Sequence, residues 1–184
     1  MSNSLTHPII ILSGEENVGK STLCRQITDY AKTRKIMVSG ILSELETAKD
    51  QKKAINSFDI KSDEKINLAV YSPGWDKEKK ERKWKFNREA IKWGNHALRN
   101  SVPTDLLIID EIGYLELEKG EGWKECFSVL EGNQYHLAII VIRLELLSLI
   151  IKRYSNISVL MLQKNNRMEI EEKILDELNR LFNI

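Results

Sequence analysis

This 184-residue chain predicts an α/β fold, a mostly parallel sheet with helices on both faces. Three observations lead there. Strand-like apolar runs alternate with helix-compatible stretches along the sequence. Some runs, such as Leu106-Leu107-Ile108-Ile109 and Leu137-Ala138-Ile139-Ile140-Val141-Ile142, are apolar at every position, as strands buried on both faces are. A turn containing two glycines, Gly14 to Ser21, joins the first strand to the first helix.

The elements follow in order. Ile9–Ser13 is a buried strand. Thr22–Arg34 is a helix whose apolar face runs through Leu23 and Ile27, and Ile36–Leu42 is the second strand. The alternation then changes. Ala54–Ile60 and Lys65–Tyr71 read as strands around the turn Lys61-Ser62-Asp63-Glu64, a β-hairpin inserted into the core. Ser72-Pro73-Gly74 ends it. Asp76 to Lys85 is a mixed-charge run with Trp75 and Trp84 at its ends; it is either a solvated face or a mobile lid that carries a cation. Phe86–Asn100 is helical, Asp105–Asp110 a strand, Trp123–Leu130 a helix and His136–Ile142 a strand. Leu144–Tyr154 is a helix and Ile157–Leu162 a strand. Met168–Phe182 closes the chain as a helix, with Met168, Ile170, Ile174, Leu175, Leu178 and Leu181 at helical spacing. The expectation is one domain over residues 1–184, with an insert at about 51–85 and no internal repeat.

Composition narrows the class. Hydrophobic residues make up 42%, enough for a core, and the net charge of +1 gives no global attraction to nucleic acid or to an anionic membrane. The stretch Leu137–Ile151 carries Arg143 and Glu145 and is too short to span a bilayer. Cys24 and Cys126 lack a C-x-x-C or Cys/His neighbour, which points to two reduced, buried thiols. With the polar start Met1-Ser2-Asn3-Ser4, this reads as a cytoplasmic protein without a signal peptide. A protein partner would find its contact on the Trp75–Trp93 segment.

The turn after the first strand has a specific chemistry. Gly14-Glu15-Glu16-Asn17-Val18-Gly19-Lys20-Ser21 spells G-x-x-x-x-G-K-[ST] without a mismatch, between a strand and a helix. Backbone N–H groups of such a loop cradle phosphate oxygens, and the helix adds its positive N-terminal end. The nucleotide-binding set is therefore Gly14, Glu15, Glu16, Asn17, Val18, Gly19, Lys20, Ser21 and Thr22. Lys20 reaches the β- and γ-phosphates and Ser21 ligates Mg²⁺. Glu15 and Glu16 place two negative charges beside a polyanion site and oppose it by Coulomb repulsion unless they point away.

A second segment complements the loop. Leu106-Leu107-Ile108-Ile109-Asp110-Glu111 delivers Asp110 at a strand's carboxyl end, where ligands of parallel sheets bind. Asp110 is the second metal ligand, and Glu111 the candidate base for an attacking water. Arg143, Arg82 and Arg88 are candidate cations for the transition state. Arg143 is preferred because it ends a buried strand, so the catalytic set is Lys20, Glu111 and Arg143.

Asp110-Glu111-Ile112-Gly113-Tyr114-Leu115-Glu116-Leu117 fits D-E-I-G-x-x-E-L. Combined with Gly14–Ser21, it resembles the small nucleoside-triphosphatase family that includes the human cancer-related nucleoside triphosphatase. Weaker marks lie at Gly40–Glu44, Phe58-Asp59-Ile60 and Asn166-Arg167. The resemblance implies a RecA-like P-loop NTPase fold. It also implies Mg²⁺-dependent hydrolysis of ATP, GTP and other nucleoside triphosphates to the diphosphate and phosphate. Glu116 is then either an anchor or a chemical group, and Asn166 and Arg167 lie near the base or cap the last helix. Gln51–Ser57 departs from the Arg/Gly-rich segment of the family. Two other readings share these motifs: a small-molecule kinase, with Glu111 or Glu44 activating an acceptor hydroxyl, and a nucleotide-dependent switch. The guanine-reading string N-K-x-D is absent.

Overall fold

Among the described residues, eight strands form one sheet in the order β5-β4-β3-β2-β6-β7-β1-β8. The structure, a computed structural model, describes residues 7–48, 51–72 and 84–184. The strands are β1 (Ile9–Ser13), β2 (Val38–Ala48), β3 (Gln51–Asp59), β4 (Lys65–Tyr71), β5 (Trp84–Phe86), β6 (Thr104–Ile112), β7 (Tyr135–Ile142) and β8 (Ile157–Met161). The helices are α1 (Lys20–Thr33), α2 (Arg88–Arg99), α3 (Tyr114–Leu117), α4 (Glu125–Gly132), α5 (Leu147–Ile151) and α6 (Arg167–Phe182). The sheet is mixed. β2, β6, β7, β1 and β8 are parallel, while β3, β4 and β5 continue from β2 in antiparallel sense. The hairpin is present, as β3 and β4.

Period-two alternation sorts the continuous apolar runs onto two faces. Ile9, Ile11, Leu107, Ile109, Ala138 and Ile140 pack on the face covered by α2 and α4. Ile10, Leu12, Leu106, Ile108, Ile139 and Val141 pack on the opposite face, under α1 and α6. Both faces of the central strands are dry, which is why these strands contain almost no polar residue. Gly40 lets β2 lie close against β6: its φ is +121°, and a Cβ there would stand 1.9 Å from the Ile108 carbonyl oxygen. Register then pairs Ile41 with Ile109 and Ile109 with Ile140. The carboxyl ends of β6 and β7 thereby lie at one level, beside the turn after β1, while β2 continues past them to Ala48.

Several boundaries differ from the sequence expectation. β2 runs to Ala48 because its second half gains β3 as an antiparallel partner. Trp84–Phe86, expected as the end of a charged run and the start of a helix, is an edge strand on β4. The helix expected over Leu144–Tyr154 is a 3-10 turn, Leu144–Leu146, followed by the short α5. Most of Asp76–Lys85, including Arg82, lies outside the described residues.

Candidate nucleotide site

One cavity of about 780 Å³ gathers the groups that the sequence separates by more than a hundred residues. Gly14–Gly19 closes the tip of β1, and Lys20 begins α1. Gly14 has φ +150°, and a Cβ there would lie 2.3 Å from the Leu162 carbonyl oxygen, so the chain turns in space that only glycine leaves open. Lys20 is 9% exposed, and its Nζ donates to the carbonyls of Gly14 (2.8 Å) and Glu15 (2.7 Å). The ammonium is thus held over the concave side of the loop.

Asp110 is 1% exposed at the end of β6. Burial drives its pKa up to about 7; a hydrogen bond with the Ser21 side chain opposes the rise, and the charge of Glu111 adds to it. The Ser43 backbone N–H donates to Oδ2 at 3.2 Å. The predicted metal pair, Ser21 and Asp110, is therefore in direct contact. Two hard oxygen donors, one a carboxylate whose charge burial disfavours, suit a divalent cation such as Mg²⁺. Among the described residues no cluster of three or more His, Cys, Asp and Glu side chains is placed to hold a metal. A cation here would depend on Ser21, Asp110 and the ligand's own oxygens.

Glu111 and Arg143 form an ion pair, Arg143 Nε donating to Glu111 Oε1 at 2.5 Å. Arg143 also lies 3.8 Å from Glu16 Oε1. The Glu16 carboxylate therefore faces a cation, which lowers its repulsion of an incoming anion. Glu15, Asn17 and Thr22 line the same cavity. Arg88 opens α2 and is not among the lining residues.

The structure resolves residues that sequence reasoning left open. Glu116 is an anchor: its two oxygens accept the backbone N–H groups of Gly113 (2.8 Å) and Trp123 (2.9 Å), with its pKa raised by burial. Asn166 braces its own turn by donating to Met161 O and accepting from Gln163 N–H. Arg167 reaches the phosphate loop, donating to Gly19 O (3.2 Å) and Gln26 Oε1 (2.6 Å). Phe58 lies under Arg25 and Lys65, at 4.9 and 5.1 Å from its ring centre, and Arg25 pairs with Glu44 at 2.6 Å. Asp59 ties the hairpin turn through Lys61 N–H and Ser62 Oγ. Trp93, in the segment expected to meet a partner, donates through Nε1 to Glu64.

The family model described as NTPase matches residues 9–175, most of the chain and both motifs. The chain belongs to this NTPase family. Its relatives include the nucleoside-triphosphatase THEP1 of Pyrococcus abyssi, 27% identical over 180 residues that cover 93% of this chain and 92% of the relative. In fold, this NTPase is similar to the human cancer-related nucleoside triphosphatase. The TM-score is 0.72 at 20% identity, over 94% of this chain and 98% of the other. It is also similar to THEP1 of Aquifex aeolicus, with a TM-score of 0.66 at 21% identity, over 92% and 98% respectively. Among the described residues, no helix of the NTPase is long and apolar enough to cross a membrane.

Proposed function

We propose that this NTPase hydrolyses nucleoside 5′-triphosphates, ATP and GTP among them, to the diphosphate and phosphate with Mg²⁺ held by Ser21 and Asp110. The observation that carries the reading is the convergence of loop amides, Lys20, Ser21, Asp110, Glu111 and Arg143 on one cavity. When bound, Mg²⁺ neutralises charge on the β- and γ-phosphate oxygens. Everything else falls to the chain. The amides of Gly14–Thr22 bind the phosphates, and Lys20 moves from its two carbonyls to the β,γ bridge. Glu111 orients a water and takes its proton as the water oxygen bonds to the γ-phosphorus and the diphosphate leaves. Arg143, already half-buried beside the site, turns from Glu111 toward the γ-phosphate and balances the charge of the transition state. Little covalent work is asked of the protein, so positioning and charge dominate the rate.

The cytoplasm suits two buried, unpaired cysteines, Cys24 and Cys126. The near-neutral charge argues against nucleic acid as the partner. The test is phosphate release from a panel of triphosphates, with Mg²⁺ and no other acceptor. We expect release from purine and pyrimidine triphosphates alike, and its loss, together with the nucleotide-induced rise in melting temperature, in Lys20→Ala. Release that is equal in the variant contradicts the assignment.

A further inference from the structure

The cavity extends beyond the phosphate-binding groups. One half is the phosphate site. The other half is apolar, walled by Leu45, Ile55, Leu68, Phe86, Ile91 and Trp123 from β2, β3, β4, β5, α2 and the segment before α4. Leu45 pairs with Ile55, Ile55 with Ala69 and Ala69 with Phe86, so one row of apolar side chains crosses four strands on one face. That row lies on the α2 face of the sheet, while α1 lies on the other. The acidic tip at Asp110-Glu111 stands between the two halves. A triphosphate seated on Gly14–Ser21, with Lys20 at its β- and γ-phosphates, has its terminal phosphate beside this tip, and the proposal requires its base to lie outside the apolar half. A water nucleophile needs no apolar wall. The whole cavity, phosphate site included, holds about 780 Å³, and an apolar wall beside a few converging polar groups is the character of a small-molecule site.

We propose that the apolar half binds a second substrate, a small molecule with an aromatic or branched apolar body and one hydroxyl, which competes with water for the γ-phosphoryl group. The proposal rests on the phosphate-site reading given above. The hydroxyl faces Glu111, which takes its proton. The acceptor oxygen bonds to the γ-phosphorus, the bond from that phosphorus to the bridging oxygen breaks, and the nucleoside diphosphate leaves. The product is a phosphate monoester. The apolar wall positions the body of the acceptor and excludes water from its face of the phosphorus.

The test uses 2-phenylethanol and indole-3-ethanol as probes, with the full chain, Mg²⁺ and ATP. ³¹P NMR separates monoester from inorganic phosphate, and saturation transfer from the protein reports probe binding. The expected result is a monoester signal that grows with probe concentration, and binding that persists beside a non-hydrolysable ATP analogue. Leu45→Arg and Phe86→Ala should each lower monoester formation tenfold or more while phosphate release without probe stays unchanged. Leu45 is 41% exposed, so its substitution leaves the core intact. Absence of both binding and monoester overturns the proposal, as does binding with inorganic phosphate as the sole product. Displacement of the probe by nucleotide overturns it too, because the base would then occupy this half. Failure of the phosphate-site reading is seen separately, as absence of phosphate release without any probe.

Discussion

Asp110 keeps a carboxyl group where water barely reaches, and burial disfavours its charged form. Burial raises its pKa from an ordinary 3.8 to about 7 in the folded state. Between those values the folded state binds the proton that the unfolded state releases, so this group's contribution to stability falls as pH rises from about 4 to 7. Above pH 7 the full penalty stands. In metal-free, nucleotide-free protein, Asp110→Asn should therefore be more stable than wild type by up to about 4 kcal/mol at pH 8, and nearly equal to it at pH 4. Chemical denaturation in a chelator at the two pH values checks this; a gap that does not change with pH removes the buried charge as its cause. Arg143 belongs to the same scale. If it leaves Glu111 for the transition state, Arg143→Ala should lower kcat about 10³-fold with KM within a few-fold. Steady-state kinetics decide, and a pure KM effect would make Arg143 a ground-state binder instead.

Elements bring these residues together through close packing. α2 packs against the loop before α4 at Gly94, where a Cβ would meet Trp123 Nε1 at 2.2 Å and two ring carbons at 2.7 and 2.8 Å. Alanine normally favours a helix over glycine by about 1 kcal/mol. Here overpacking costs about 1–3 kcal/mol, so Gly94→Ala should lower stability by about 1 kcal/mol. A urea midpoint equal to or above that of wild type contradicts this packing. Contacts of this kind explain what sequence could reveal. The phosphate loop and Asp110-Glu111 were legible because each is a short string with its own strand beside it. The Arg167 contact with Gly19 was not, because it joins residues 148 apart across two elements. Trp84–Phe86 is not legible as a strand because three residues carry no period, and its pairing with β4 is a tertiary fact. The role of Glu116 is not legible either, because it is set by the Gly113 and Trp123 N–H groups that donate to it.

The molecule as a whole divides its labour along one sheet. The parallel strands hold the phosphate loop, Asp110-Glu111 and Arg143 at their carboxyl ends, where parallel sheets place ligands. The antiparallel extension adds the apolar wall. The hairpin was readable in the sequence as two strands around a turn. The apolar compartment was not, since its side chains come from several elements and none is unusual alone. The most direct test of the whole arrangement pairs two readouts on Glu111→Gln: the melting shift with Mg²⁺-ATP, and phosphate release. The variant should keep the shift of the wild type, because the loop and Asp110 are intact, and lose phosphate release by two or more orders of magnitude, about the contribution of general-base catalysis. Wild-type phosphate release from this variant would contradict the account.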